Sequence, residues 1–158
     1  LFETFCLPSM VHQTTQNFVW IIYTDPHLDD VLMQQMKRLL APYPHFYLLP
    51  ALMDKRGQGG KDILRHFTPS DFVMGNTTLL FANLRQVHWL AVLESRFDAD
   101  DALHVGFVEQ VQKRGRKVFL EEPHGRDWMY WCINQAAEWH VSIYRYGDVD
   151  HKNENVME

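Results

Sequence analysis

Cysteine is scarce in this chain of 158 residues, which contains only Cys6 and Cys132. Two thiols at this separation supply neither the framework of a disulfide-rich secreted domain nor the paired ligands of a zinc knuckle. The sequence therefore favours a protein of a reducing compartment, and we expect a cytoplasmic location.

Long apolar runs are also missing. No segment approaches the ~18 to 20 consecutive apolar residues of a membrane span, and no charged start leads into an apolar signal segment. The chain begins at Leu1, inside a helical pattern and without a methionine. We therefore predict no membrane span in this chain and expect a fragment whose natural N-terminal part is missing.

An excess of positive charge is the third absence. The chain has 15 Lys and Arg against 20 Asp and Glu, a net charge of -5 and a pI near 6.0. This balance provides no broad surface for a polyanion, so nucleic acid is not an expected partner.

Residues that can form a core are plentiful, because 46% of the residues are hydrophobic and 13% aromatic. The length and composition predict one globular domain with a core of ordinary depth.

Strand-like and helix-like segments alternate along the chain. Apolar spacing predicts helices at 1–15, 28–41, 101–115 and 127–140, strands at 17–25, 44–52, 87–97 and 117–122, and a polar, glycine-rich loop at 54–62. Residues 63–86 have mixed periodicity and receive no assignment. The alternation predicts an α/β fold with a largely parallel sheet flanked by helices, over a domain at 1–146 followed by a polar tail at 147–158.

Three aspartates, Asp98, Asp100 and Asp101, lie in "SRFDADDAL" between a predicted strand and a predicted helix. Parallel sheets bind ligands at the carboxyl ends of their strands. Helix capping, which contributes ~1 kcal/mol, accounts for one aspartate or two. Three are harder to explain, because like charges ~5 Å apart repel by ~3 kcal/mol at an effective dielectric constant of about 20. Hard oxygen ligands without a thiolate cluster suit Mg²⁺ or Mn²⁺, while capping remains the alternative.

Other acidic and phosphate motifs fit less well. An EF-hand would require a ligand at Ala102 and glycine at Leu103. The D-x-D opening of haloacid dehalogenase-type phosphatases continues with different residues. The stretch "GQGGKD" lacks the spacing of a phosphate loop and the Ser or Thr after Lys61.

"DADD" resembles the D-x-D signature of GT-A glycosyltransferases. The opening "CLPSMVHQTTQNFVWIIYTD" is similar to that of family-two GT-A enzymes, with matches at Leu7, Ser9, Gln13, Thr14 and Asp25. Taken with "SRFDADDALHVGFVEQVQ", which contains an Arg-x-Asp-x-Asp-Asp core, the opening resembles the putative rhamnosyltransferase family. The resemblance covers roughly residues 1–112 and implies a GT-A-like, Rossmann-like sheet that lacks its first strand.

The resemblance also implies roles for individual residues. Asp25 would lie near the nucleobase, Asp98 would face the sugar of the nucleotide and contribute to the metal site, and Asp100 with Asp101 would coordinate Mg²⁺ or Mn²⁺. Arg96 shares a strand face with Asp98 and would meet a donor phosphate, or else would only neutralise the aspartates. Asp25 has the alternative role of a turn former before Pro26.

An inverting transfer needs a carboxylate base. The candidates are Glu121, Glu122, Asp127 and Glu138. We select Glu122, because it ends a predicted strand. The aromatic stretch 127–140 is interpreted as core packing rather than as an acceptor platform, and His140 is a further candidate metal ligand.

The acidic cluster together with this resemblance implies a metal-dependent glycosyltransferase. It would move a sugar, with rhamnose as one candidate, from a nucleotide-diphosphate-sugar donor to a glycan or other hydroxyl acceptor. The alternative is a non-catalytic module that binds a nucleotide sugar or a divalent cation, and a nucleotidyltransferase is third.

Overall fold

The computed structural model of the protein describes residues 1–52, 60–86 and 92–121. A π-helical turn at Phe2–Cys6 leads into the first helix, a 3₁₀ turn at Pro69–Asp71 separates two later helices, and a second π-helical turn occupies Lys117–Glu121. The regular elements are α1 (Leu7–Val11), β1 (Trp20–Thr24), α2 (Asp30–Leu40), β2 (Phe46–Pro50), α3 (Gly60–His66), α4 (Thr77–Gln86) and α5 (Phe107–Arg116).

The first half of the chain forms a βαβ unit. Strands β1 and β2 are parallel, with Trp20 opposite Phe46 and Thr24 opposite Pro50, and α2 connects them. The strands predicted at 17–25 and 44–52 and the helix predicted at 28–41 are confirmed. Within the described ranges the sheet has two strands. This mixed architecture agrees with the predicted α/β class, while a complete GT-A sheet stays a prediction.

Two hydrophobic clusters cover the two faces of the sheet, as a parallel sheet requires. Trp20, Phe46 and Leu48 pack with α1 and α2 on one face. Tyr47 and Leu49 point to the other face and pack with α3 and α4. Residues of β1 between its ends are only half-buried, because β1 is an edge strand in the described part of the chain.

Helix α2 begins at a side-chain cap. The Oδ1 atom of Asp29 accepts a hydrogen bond from the Val31 amide at 2.9 Å. Helical spacing in the sequence predicts an apolar stripe of Leu28, Val31, Leu32, Met36, Leu39 and Leu40. This stripe is only partly right, because Leu40 is fully buried whereas Val31 is 71% exposed. The stripe that packs against the sheet is rotated, and it consists of Met33, Met36, Leu39 and Leu40.

The N-terminal helix predicted at 1–15 is confirmed for Phe2–Val11. Pro8 occupies the first turn of α1. The π-helical turn precedes α1 without a break, so Pro8 leaves the helical hydrogen-bond pattern short of one amide at this junction.

A short segment after the 3₁₀ turn pairs with the other edge of β2. Leu48 forms an isolated antiparallel bridge with Met74. The chain then turns at Gly75, whose φ is +112°. A Cβ atom at this position would lie 2.2 Å from Cδ1 of Tyr47, so the close approach of the backbone to a buried ring requires glycine.

Two strand predictions and one helix boundary are wrong in the described residues. Residues 92–97 are irregular rather than a strand, and 87–91 lie outside the described residues. Lys117–Glu121 is helical rather than a strand, because the Lys117 amide bonds back to the carbonyl groups of Lys113 and Arg114 and the helical path continues.

Helix α5 begins at Phe107 instead of Asp101 and passes through Gly115 to Arg116. Gly115 does not stop the helix; it lies against the side chain of Leu93, whose Cδ2 atom would be 2.6 Å from an added Cβ atom and would have to move.

The glycine-rich loop predicted at 54–62 lies mostly outside the described residues, and α3 begins within it, at Gly60. The predicted helix 127–140, the tail 147–158 and the domain boundary at 146 lie outside them entirely. None of the helices in the described ranges combines the length and the apolarity needed to cross a bilayer.

Candidate functional site

The three predicted metal ligands belong to one exposed turn, residues 98–101, which we call the acidic turn. The Asp98 amide donates a hydrogen bond to Oδ2 of Asp101 at 3.1 Å, and the Asp101 amide donates to the Asp98 carbonyl at 3.1 Å. The carboxylate of Asp101 therefore caps this turn. It does not cap a helix, because α5 begins six residues later with Gly106 at its N-cap.

The acidic turn does not form a ready-made cation site in this conformation. Among residues 1–52, 60–86 and 92–121, no three His, Cys, Asp or Glu side chains are grouped closely enough to hold a metal ion. One carboxylate oxygen of Asp101 is already bonded to a backbone amide. We therefore assign no chemical step to an ion.

Beneath the turn lies Cys6, whose side chain is 1% exposed. Its thiol donates a long hydrogen bond, 3.9 Å from Sγ to oxygen, to the Asp98 carbonyl. Burial, followed by the negative charges of Asp101 and Asp100, raises the pKa of the Cys6 thiol to about 11. Cys6 is therefore a neutral buried thiol and not a nucleophile.

Aromatic contacts fix the chain just before the turn. Phe97 stacks on Trp20 with ring centroids 5.7 Å apart and an interplanar angle of 18°. Phe2 stacks on Trp20 from the N-terminal helical segment at 6.0 Å. Leu103 packs into the same cluster from the other side of the turn. Apolar anchors thus lie on both sides of the three aspartates.

The loop that follows the turn is bound by the opening segment of the chain. Gln13 is 4% exposed, and its side-chain amide makes three hydrogen bonds. Nε2 donates to the carbonyl oxygens of Ser9 and His104, both at 2.9 Å. Oε1 accepts from the Val108 amide at 3.0 Å. The buried amide is therefore well satisfied by backbone partners.

Ser9 and Thr14 extend these contacts. Ser9 Oγ accepts from the Leu103 amide at 3.2 Å and donates to the Cys6 carbonyl at 2.8 Å. The Thr14 amide donates to the carbonyl of Val105 at 2.8 Å. We call the contacts of Ser9, Gln13 and Thr14 with residues 103–109 the clasp.

A hydrogen bond to a side chain completes the clasp. The Thr14 hydroxyl donates to Oε2 of Glu109 at 2.9 Å, and Lys113 pairs with Oε1 at 2.7 Å. The hydrogen bond from Lys113, together with that from Thr14, lowers the pKa of Glu109. This carboxylate thus stays ionised while it receives the Thr14 hydroxyl.

Arg96 lies on the irregular segment, so the strand geometry that placed it beside Asp98 does not apply. Its charge acts on Tyr23: burial raises the pKa of the Tyr23 hydroxyl, the Arg96 guanidinium opposes this, and Glu94 adds to it. The Arg96 charge is thus close enough to β1 to act on the Tyr23 hydroxyl. A role in binding a donor phosphate stays a prediction.

Asp25 follows the carboxyl end of β1 and forms a turn, with Oδ1 accepting from the His27 amide at 2.8 Å. Beside it, a cavity of about 180 Å³ opens at the carboxyl ends of both strands; its lining residues are Pro26, Pro50, Ala51, Leu52, His66, Phe67 and Asp71. Such crevices are where parallel sheets bind ligands. The position of Asp25 is compatible with the predicted nucleobase contact.

None of the hydrogen bonds, ion pairs or ring contacts found among the described residues joins Asp25 to the acidic turn. The acidic turn is anchored through Phe97 at Trp20, the first residue of β1, whereas Asp25 follows its last residue. Five residues of extended chain correspond to about 16 Å. Glu122, the selected base, lies outside the described residues, as do Asp127, Glu138 and His140.

Comparison with known proteins adds an independent finding. A family model described as putative rhamnosyl transferase matches residues 1–127, which include both ends of the clasp and the acidic turn. The chain belongs to this family. The family name indicates sugar transfer. No curated protein and no solved structure matches the chain significantly.

In the sequence, Ser9, Gln13 and Thr14 match the opening of family-two GT-A enzymes, but this match gives them no role. Their structural role is to bind the loop after the acidic turn. The available signal was a polar set within an apolar helical pattern, since Ser9 and Gln13 lie one helical turn apart, with Thr14 adjacent.

Proposed function

We propose that this chain is the donor-binding part of a glycosyltransferase that moves a sugar, with rhamnose as the first candidate, from a nucleotide-diphosphate-sugar donor to a hydroxyl of a glycan or other acceptor. The match of residues 1–127 to the putative rhamnosyl transferase family carries this proposal.

The geometry supports the proposal at the two blocks of sequence that resemble the family. These blocks are about 90 residues apart in the chain, yet the clasp bonds one directly to the other. The result is an exposed turn with three carboxylates whose flanks are anchored in the core. A fixed acidic turn is suited to orient a charged, hydroxyl-rich donor.

Dependence on Mg²⁺ or Mn²⁺ is part of the proposal. The exposed carboxylates of Asp98 and Asp100 are hard oxygen ligands of the kind these ions prefer. Donor phosphates would have to supply further ligands, because the described residues do not complete a site by themselves.

The cavity beside Asp25 and the acidic turn would contact different parts of the donor. A site at the carboxyl ends of the two strands fits a planar base, since prolines and Phe67 line it. The five residues of β1, about 16 Å of extended chain, lie between Asp25 and the Phe97 anchor of the acidic turn at Trp20. The proposal therefore assigns Asp25 and Asp98 to opposite ends of the donor.

Two measurements on the full chain test the proposal. The first is calorimetric binding of dTDP-rhamnose and UDP-rhamnose with and without Mn²⁺. We expect Mn²⁺ to tighten binding and Asp100→Asn to remove that enhancement. Asp30→Asn is the matched control, because it neutralises an exposed aspartate in α2. Equal binding by all three proteins, with or without Mn²⁺, would contradict the metal-assisted site.

The second measurement is release of nucleoside diphosphate in the presence of a panel of glycoside acceptors. Release that requires both donor and acceptor supports transfer. Binding without release supports the alternative of a nucleotide-sugar or cation-binding module. Release of pyrophosphate from a nucleoside triphosphate and a sugar phosphate would instead indicate a nucleotidyltransferase.

A further inference from the structure

We propose that Gln13 is a positioning residue, whose buried amide sets the place of the acidic turn relative to the sheet. The effect of Gln13 on donor binding rests on the proposed function, whereas the effect of Gln13 on the position of the acidic turn does not. The inference starts from the number and the direction of the hydrogen bonds that this one side chain makes.

The loop from Asp98 to Gly106 has no regular secondary structure, so its backbone groups need partners elsewhere. The opening segment supplies them. Cys6 donates to the Asp98 carbonyl, Ser9 accepts from the Leu103 amide, and the Gln13 amide donates to the His104 carbonyl. The path of the loop is thus defined by contacts to the opening segment.

Gln13 occupies the centre of this arrangement because it joins three segments at once. It bonds its own helical segment at Ser9, the loop at His104 and the first turn of α5 at Val108. These three hydrogen bonds require two donors and one acceptor on one planar group, which a side-chain amide provides. A carboxylate supplies acceptors only, and an aliphatic side chain supplies neither.

Gln13 is linked to the acidic turn through Ser9 and Leu103. The same Ser9 whose carbonyl receives the Gln13 amide holds the Leu103 amide with its hydroxyl. Leu103 lies two residues after Asp101, whose carboxylate closes the turn. Loss of the Gln13 amide therefore frees the chain at His104, directly after Leu103, and at Val108, and we expect the turn to shift.

Hydrogen exchange of the full chain, resolved by residue with NMR, tests the effect on the turn without any substrate. In Gln13→Leu we expect exchange of the Val108 amide to accelerate by about tenfold or more, because its acceptor is gone. The decisive amides are those of Leu103 and Asp101, which Gln13 does not bond. Faster exchange there supports positioning, and exchange equal to that of the unsubstituted chain overturns it.

Gln16→Leu is the matched control. Gln16 belongs to the same segment but is exposed, and its Nε2 bonds only the carbonyls of Val11 and Gln13 among the described contacts. This variant should leave the exchange of Leu103 and Asp101 unchanged. An equal acceleration in Gln16→Leu would assign the effect to general loosening of the segment and would also overturn the proposal.

Gln13→Glu provides a second test if Gln13→Leu folds poorly. Its ionised carboxylate accepts from Val108 but repels the carbonyls of Ser9 and His104, and burial raises the pKa of the introduced group. Protonation restores one donor. The exchange rate of Leu103 relative to the unsubstituted chain should therefore fall as pH decreases, and a pH-independent ratio contradicts the role of the amide donors.

Donor kinetics separate this inference from the proposed function. With dTDP-rhamnose as the probe, Gln13→Leu should raise KM by about tenfold with a smaller change in kcat, as expected when binding geometry is lost. An unsubstituted chain without transfer or donor binding refutes the proposed function, while the exchange data still decide the positioning role. If Gln13→Leu folds and shows altered amide exchange but an unchanged KM, Gln13 positions the turn only. This result would overturn the proposed effect of Gln13 on donor binding.

Discussion

The Cys6 thiol should make the stability of the protein depend on alkaline pH. Its pKa is raised from 9.0 to about 11, first by burial and then by Asp101 and Asp100. The folded state therefore holds this proton more tightly than the unfolded state. Stability from this group is fully present below pH 9.0 and is lost as pH rises toward 11.

The linkage relation gives the size of the effect. Between about pH 8 and about pH 10, a two-unit difference in pKa removes about 1.3 kcal/mol from the free energy of unfolding. Cys6→Ala has no thiol to ionise, so it should lack this loss although its packing is weaker. The assay is urea denaturation of both proteins at the two pH values. For each protein, the change in the free energy of unfolding between the two pH values is determined, and the two changes are then compared.

Other titrating groups act equally in both proteins and cancel in this difference. Asp101→Asn should reduce the loss in the presence of Cys6, because one of the charges that raises the thiol pKa is removed. The reasoning is refuted if the unsubstituted chain and Cys6→Ala lose the same free energy between the two pH values.

Two further substitutions test the backbone of the fold. Gly75→Ala combines a positive φ with a clash against the buried ring of Tyr47, so we expect a loss of about 3 kcal/mol or more, seen as a fall in Tm of roughly 6 °C or more. Gly106→Ala is the control, because its φ is ordinary, and a similar loss in both would contradict the argument. Asp29→Ala should cost about 1 kcal/mol in urea denaturation by removing the cap of α2, while Asp29→Asn should restore most of it; equal stability of the two variants would argue against the cap.

The sequence was most informative where local pattern decides structure. The continuous apolar runs at Phe18–Tyr23 and Phe46–Leu49 identified both strands, because burial on a parallel sheet needs apolar residues on both faces. The pattern misled at Lys117–Glu121, where the same kind of run continues a helix. Short apolar runs do not distinguish a strand from a buried helical turn, and the preceding helix decided the outcome.

The acidic turn could be located from the sequence, but the residues that bond the loop after it could not. Asp98 and Asp101 were expected to follow a strand and begin a helix, yet they close a turn on themselves. The partners that hold this region, Ser9 and Gln13, are 91 to 95 residues away in the chain. Such pairings leave no periodicity in a single sequence, so only the three-dimensional structure reveals them.

The clasp also dictates when this protein can acquire its shape. During synthesis from the N-terminus, the Gln13 amide has only the local Ser9 carbonyl to bind until the ribosome has released His104 and Val108. Closing a loop of this length carries an entropic cost of about 4 kcal/mol, which the later contacts must recover together. The opening helix is therefore synthesised well before the residues that complete its contacts, and a nascent chain arrested before α5 would expose a polar side chain that the mature fold buries.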